Sequence, residues 1–302
     1  MHDRIYDSVL DLIGHTPLVR LRRLSPPKGG EVIGKLENLN PAGSVKDRPA
    51  LQMILDAEAR GELREGATII EATSGNTGIS LAMIAAVRGY QCVLVMPEDM
   101  SIARRQILQS YGAEVVLTTP DDGMAGAVER AEGLLAETKN AFMPRQFSNP
   151  SNPDAHAKTT AEEIWRSTDG KLDAFVVGVG TGGTLSGVAR VLKQRHPALH
   201  VVAVEPRGSA VLSGGKPGLH GIQGLGAGFV PEVLDRTMVD EIVTVNDVAA
   251  ERAQRRLARE EGLFVGTSAG ANVHAAVEVA KRFKPGTRIV TILCDGGERY
   301  LR

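Results

Sequence analysis

Six short runs of β-branched and other apolar residues, at 68–72, 92–96, 114–118, 175–179, 201–204 and 289–293, alternate along the chain with stretches of helical apolar spacing. The helical stretches are 77–88, 102–111, 125–137, 155–167, 185–194, 249–261 and 271–282, and another continues from Pro49 through Leu51-Gln-Met-Ile-Leu-Asp-Ala. A strand that is apolar at nearly every position must be covered on both faces, and helices between successive strands do this for a parallel sheet. The predicted class is therefore α/β, with mostly parallel twisted sheets flanked by helices. At 302 residues the chain is long enough for two domains. The turn-rich segment Phe147-Ser-Asn-Pro-Ser-Asn-Pro153 interrupts the alternation and predicts a boundary there.

Charge and composition exclude several classes. A formal net charge of -1 argues against a nucleic-acid or anionic-membrane partner held by a basic field. The opening residues Met-His-Asp-Arg-Ile-Tyr-Asp lack the apolar core of a secretory signal. Apolar stretches such as Gly78-Ile-Ser-Leu-Ala-Met-Ile-Ala-Ala-Val87 are too short to span a bilayer. Cys92 and Cys294 make neither a disulfide framework nor a zinc spacing, so a reducing, cytoplasmic setting is expected.

In open parallel sheets ligands bind beyond the carboxyl ends of the strands, which directs attention to loops ahead of helices. Pro41-Ala-Gly-Ser-Val-Lys-Asp-Arg48 sets Lys46 behind a turn of small residues and ahead of a helix. The helix dipole there disfavours an ammonium relative to the neutral amine, and the neutral amine is the form that condenses with a carbonyl. Position alone leaves Lys46 one of ten lysines, most of them expected on the solvated surface. Thr73-Ser-Gly-Asn-Thr-Gly78 offers hydroxyls, an amide and backbone N–H groups at a helix N-terminus, which suits a small anion such as a carboxylate. An ordinary N-cap needs fewer such residues than this.

Gly178-Val-Gly-Thr-Gly-Gly-Thr184 carries two readings. Its bare glycines and the hydroxyls of Thr181 and Thr184 suit a phosphate. Gly178, Gly180 and Gly183 also satisfy G-x-G-x-x-G, with Glu205 placed where a ribose-binding acid would sit. The spacing leaves phosphate and dinucleotide both open. Gly266-Thr-Ser-Ala-Gly-Ala-Asn272 is either a helix cap or a further site loop. The glycine-dense Gly221-Ile-Gln-Gly-Leu-Gly-Ala-Gly-Phe229 is either a linker or a loop packed closely on a ligand. His196 and His200 flank Pro197, which breaks a shared helical face, so no metal site is expected. Cys92 reads as core, and Cys294 ends a strand beside Asp295-Gly-Gly.

Together these segments resemble the cysteine synthase family of pyridoxal-phosphate (PLP) enzymes, in the fold that also houses tryptophan synthase β chains. The likeness runs from Ile13-Gly-His-Thr-Pro-Leu-Val19 to Gly297-Glu-Arg-Tyr-Leu301, and Pro41–Arg48, Thr73–Gly78 and Gly180–Thr184 in this order are highly specific to it. It implies two domains with PLP in the cleft between them. Residues 1–40 and 147–302 would form the larger, cofactor-binding domain, and 41–146 the smaller domain that closes on substrate. Lys46 matches the Schiff-base lysine, which also serves as base at the substrate's Cα. Asn76 matches the residue bonded to the cofactor's phenolic oxygen. Gly180, Thr181, Gly182, Gly183 and Thr184 match the phosphate cradle, and Ser268 the hydroxyl facing the pyridine nitrogen. Thr73, Ser74, Gly75, Thr77 and Gln146 match the substrate α-carboxylate site, and Gly224 through Gly228 the loop at the site mouth.

The implied reaction is loss of acetate from O-acetyl-L-serine to an α-aminoacrylate, followed by addition of sulfide. Ile292-Leu-Cys-Asp295, Glu71–Gly78 and the stretch from Glu37 to Asp47 look like the B isozyme, which also uses thiosulfate, and put Cys294 on the substrate side of the site. His220–Phe229 looks like the A isozyme but has Gly221 where that form carries a lysine. The family implies a homodimer. Gly221 and the end of the chain at Arg302 count against a complex with serine acetyltransferase. The alternatives are an O-phosphoserine sulfhydrylase, a cystathionine β-synthase-like enzyme and, more remotely, an NAD-binding oxidoreductase or sensor.

Overall fold

The strand Thr68-Ile-Ile-Glu-Ala72 is buried at every position, and its two faces meet different helices. The computed structural model, which describes residues 5–73, 75–99 and 101–301, runs β1 (Leu18–Arg20), β2 (Glu31–Leu36), α1 (Asp47–Ala59), β3 (Thr68–Ala72), α2 (Asn76–Arg88), β4 (Gln91–Pro97), α3 (Ile102–Ser110), β5 (Glu114–Thr118), α4 (Gly123–Glu137) and β6 (Ala141–Phe142). It continues with α5 (Ser151–Ala155), a π-type turn (His156–Thr160), α6 (Ala161–Ser167), β7 (Ala174–Gly178), α7 (Gly183–Arg195), β8 (His200–Pro206), β9 (Glu241–Val245), α8 (Asp247–Glu261), α9 (Thr267–Ala280) and β10 (Arg288–Leu293). The α/β class expected from the alternation is what forms.

The described residues divide into two compact units, one of Asn40–Ser151 with residues 5–13, the other of Gly14–Leu39 with residues 152–301. In the first unit β5-β4-β3-β6 form an all-parallel sheet. Ile69 and Leu94 face Ala50 and Ile54 of α1 and Ile79 and Met83 of α2, while Ile70, Ala72 and Val95 face Ala127 and Ala131 of α4. Alternate side chains of one strand thus enter opposite layers, which is why Ile69 on one face and Ile70 and Ala72 on the other are all apolar. Leu10 is buried in the α1/α2 layer, and this apolar contact puts residues 5–13 with this unit, whereas the expected boundaries gave residues 1–40 to the larger one.

In the second unit the order is β1-β2-β10-β7-β8-β9, parallel except for the β1–β2 pair. Its core joins Val176, Val202, Val204, Ile289 and Leu293 to Ala269, Val273, Ala276 and Val279 of α9. β2 was not evident in the sequence because Gly34 and Lys35 break its apolar run. Lys35 is nevertheless fully buried, with its Nζ 2.8 Å from the Thr16 carbonyl and 2.7 Å from Glu163 Oε2.

Candidate active site

In the first unit the turn ahead of α1 is shaped by its own polar groups. The Gly43 N–H donates to the Asn40 carbonyl at 2.7 Å, and Gly43 has φ of 77°, a left-handed value that favours glycine. Lys46 is the residue just before α1 and is half-buried; its N–H donates to Ser44 Oγ at 3.2 Å. Its neighbour Asp47 is fully buried and accepts the Ala42 N–H at 2.7 Å and the Ser80 hydroxyl at 2.6 Å. Ser80 Oγ also lies 3.0 Å from the Asn76 carbonyl. One carboxylate therefore ties the lysine turn to the start of α2, where Asn76 stands. The sequence reading passed over Asp47.

The loop after β3 leads directly into α2. Gly75 N–H donates to Thr73 Oγ1 at 3.2 Å, and Gly75 precedes α2 with no side-chain cap, so the first N–H groups of that helix need outside acceptors. Nothing lies within 4 Å of where a Gly75 Cβ would stand. Thr77 donates its hydroxyl to Gln146 Oε1 at 2.7 Å across 69 residues of sequence. Thr73, Gly75, Asn76, Thr77 and Gln146 are thus brought together; Ser74 lies outside the described residues.

In the second unit the loop from β7 to α7 folds through Gly182, with φ of 85°. Close approach explains its other glycines. A Cβ on Gly180 would stand 2.2 Å from the Gly224 carbonyl oxygen, and one on Gly183 1.9 Å from Asn152 Oδ1. Thr181 Oγ1 accepts Asn152 Nδ2–H at 3.0 Å and the Gly183 N–H at 3.3 Å, and Thr184 Oγ1 lies 3.2 Å from His156 Nε2. The Gly226 N–H donates to the Val179 carbonyl at 3.0 Å, so the glycine-dense segment packs on this loop and is no linker. Glu205 does not serve a ribose. Its Oε2 accepts the Leu212 N–H at 2.8 Å, and its Oε1 accepts the Ser213 N–H at 2.9 Å and the Ser213 hydroxyl. With both oxygens spent on their own loop, the dinucleotide reading of the G-x-G-x-x-G spacing falls.

Ser268 is buried in the first turn of α9, and its hydroxyl makes no hydrogen bond among the described residues; Thr267 Oγ1 beside it is buried without a partner. Cys294, just past β10, has its Sγ 3.5 Å from Asn272 Nδ2. Asn272 is fully buried, accepts the Gly178 N–H at 2.7 Å and donates to the Ile292 carbonyl at 2.8 Å. It pins the ends of β7 and β10 together, a role the sequence reading did not assign. Cys92 is buried in β4 and its thiol is pushed up to about 12 by burial, as a core cysteine should be. No group of three or more metal-ligating side chains occurs among the described residues.

These residues fit a phosphorylated pyridine. The start of α7 is a helix N-terminus, which suits an anion, and Thr181 and Thr184 lie beside it; the Ser268 hydroxyl can donate to an unprotonated ring nitrogen. Residues 9–295 match the family model described as pyridoxal-phosphate dependent enzyme, and the chain belongs to that family. It is 52% identical over 99% of its length to a probable cysteine synthase of Bacillus subtilis (strain 168), covering 97% of that protein. Among solved structures, an O-ureido-L-serine synthase superposes with a TM-score of 0.95 at 48% identity, covering 99% of this chain and 94% of that one. A cysteine synthase from Entamoeba histolytica gives 0.95 at 42% identity, covering 99% and 90%.

Proposed function

We propose that the protein makes L-cysteine from O-acetyl-L-serine and sulfide, with pyridoxal 5'-phosphate carried by Lys46. It is a PLP-dependent transferase of cysteine biosynthesis that acts on small molecules. The reading is carried by the chain being about half identical to a cysteine synthase over nearly all its length, and is supported by the tightly packed glycine loop of residues 180–184 ahead of α7. Bound PLP supplies an electron sink for the bonds at the substrate's Cα.

The chain's own residues do the rest. The N–H groups of the α7 start and the hydroxyls of Thr181 and Thr184 hold the phosphate. The Ser268 hydroxyl donates to the ring nitrogen; unlike a carboxylate it does not hold that nitrogen protonated, which moderates the sink and favours elimination over transamination. Asn76 orients the ring through its phenolic oxygen. Thr73, Ser74, Gly75 and Thr77, with Gln146, bind the substrate carboxylate at the start of α2, where the helix dipole favours an anion. Freed from the cofactor when the substrate's amine takes its place, Lys46 Nζ takes the Cα proton, acetate leaves Cβ with the bonding pair, hydrosulfide adds at Cβ, and the same ammonium returns its proton to Cα. Gly224 lines the mouth of the site, and Cys294 stands on the nucleophile's side of it.

The working form in this reading is a cytoplasmic homodimer with no required acetyltransferase partner. No helix among the described residues is long and apolar enough to cross a membrane. The test is direct quantitation of cysteine from O-acetyl-L-serine with sulfide, of S-sulfo-L-cysteine from O-acetyl-L-serine with thiosulfate, and of cysteine from O-phospho-L-serine with sulfide. The expected result is the highest kcat/KM with O-acetyl-L-serine and sulfide, and loss of product in Lys46→Ala. A PLP-loaded wild type that forms no cysteine from either donor would overturn the proposal.

A further inference from the structure

Glu71 is an acid where β3 otherwise carries apolar or hydroxyl side chains. It is 6% exposed, on the face that also carries Ile69 and that meets α1 and α2. Packing alone would put an aliphatic residue there, because a buried carboxylate loses its hydration. Its Oε2 accepts the backbone N–H of Arg145 at 2.9 Å, 74 residues away in sequence. Arg145 has φ of 54°, a left-handed conformation that is unfavourable for a residue with a Cβ. Its guanidinium is forked onto Glu132 of α4, Nη1 to Oε1 at 2.5 Å and Nη2 to Oε2 at 2.9 Å. Arg145 is therefore held at both ends, by Glu71 at the backbone and Glu132 at the side chain. The next residue is Gln146, which is buried and accepts the Thr77 hydroxyl at 2.7 Å.

We infer that Glu71 is a positioning residue for the substrate carboxylate, acting through the Arg145 backbone to set Gln146 against Thr77. The inference rests on the assignment of Thr77 and Gln146 to the carboxylate site. A turn in a left-handed conformation keeps its shape only when its surroundings hold it. The Glu71 bond supplies that hold two residues upstream of Thr73, on the same strand that feeds the site loop.

The choice of a carboxylate adds a response to pH. Burial pushes Glu71 up to about 7, against the opposing pull of the Arg145 N–H, the Arg145 guanidinium and the Ala72 N–H, with Glu132 adding a small push upward. The strands on either side place Leu94 and Phe142 beside this part of β3. The sole ionisable residue of α2, Arg88, is bound to Glu58. Near neutrality Glu71 therefore passes between two states. The ionised carboxylate holds the Arg145 N–H strongly, and the neutral acid holds it less well.

The experiment uses the PLP-loaded enzyme, KM and kcat for O-acetyl-L-serine, and calorimetric binding of L-serine from pH 6 to pH 8.5. Glu71→Gln keeps an acceptor without a charge; Glu71→Leu removes it. Glu71→Leu is expected to raise KM and the L-serine Kd about tenfold, the worth of one hydrogen bond, with kcat within about threefold. Glu71→Gln is expected to stay within about threefold of wild type and to lose the weakening of L-serine binding that wild type shows as pH falls through about 7. In a Gln146→Ala background Glu71→Leu is expected to add nothing further. An additive effect there, or an inflection near 7 that persists in Glu71→Gln, would overturn the inference while leaving the carboxylate site standing. If Gln146→Ala itself leaves KM and Kd unchanged, the carboxylate assignment fails instead. Should Glu71→Leu not fold, the pH profile of Glu71→Gln decides alone.

Discussion

Adding one methyl group to Gly180 tests whether the cradle depends on the close approach seen in the second unit. The new Cβ would stand 2.2 Å from the Gly224 carbonyl oxygen, about 1 Å inside ordinary van der Waals contact. That oxygen belongs to backbone, in a segment whose Gly226 N–H is already bonded to Val179, so no side-chain rotation relieves the overlap. Either the 178–184 loop or the 224–228 loop has to move. Overpacking of this kind costs about 1–3 kcal/mol. If that cost falls on the cofactor-bound form, PLP affinity drops by a factor of about 5–150. The assay is titration of the apo-protein with PLP, read from the visible Schiff-base band, for wild type, Gly180→Ala and Gly133→Ala. Gly133 lies within α4, where a Cβ would meet no atom closer than 3.8 Å. Gly133→Ala is expected to bind PLP as wild type does and to gain about 0.5–1 kcal/mol of stability from helix propensity. A Gly180→Ala protein that binds PLP as tightly as wild type would refute the argument.

Two further outcomes concern stability. Glu71 titrates at about 7 when folded against 4.5 in its unfolded reference, so between these values the native state holds a proton that the unfolded chain has lost. Stability should therefore fall by on the order of 3 kcal/mol as pH rises from about 4.5 to about 7 and change no further from this group above that. Urea unfolding across that range should show this slope in wild type and a flatter curve in Glu71→Gln; identical slopes would count against it. Separately, Glu163→Ala should cost about 3–5 kcal/mol by leaving the Lys35 ammonium buried without its carboxylate, whereas Lys35→Met with Glu163→Leu should cost much less. Thermal denaturation distinguishes the two, and equal losses would contradict the desolvation argument.

The legible parts of the sequence were those whose side chains report their own surroundings. β3 carries Ile69 on one face and Ile70 and Ala72 on the other because helices cover both, and its limits could be read from that run alone. The loops at 73–78 and 178–184 announced themselves by needing small residues and donors ahead of helices. What stayed hidden depended on distant partners. Lys35 disguised β2 because its partner Glu163 lies 128 residues away. β9 is a half-exposed edge strand with little periodicity to distinguish it from loop, and β6 is two residues long. Glu205 sat at the spacing of a ribose acid, and only the position of Leu212 and Ser213 shows where its oxygens are spent. Glu71 and Asn272 carried the one signal that could have found them, a polar side chain inside an otherwise apolar or small-residue run; Asp47, between Lys46 and Arg48, carried none.

Lys46, half-buried just before α1, is proposed to carry the cofactor. Reducing the PLP-loaded protein with borohydride converts the imine to a stable secondary amine, and peptide mass spectrometry then locates the label. The expected result is a phosphopyridoxyl group on the peptide containing Lys46, and no labelled lysine in Lys46→Ala. Label on any of the other nine lysines in the wild-type protein, with Lys46 unmodified, would contradict it.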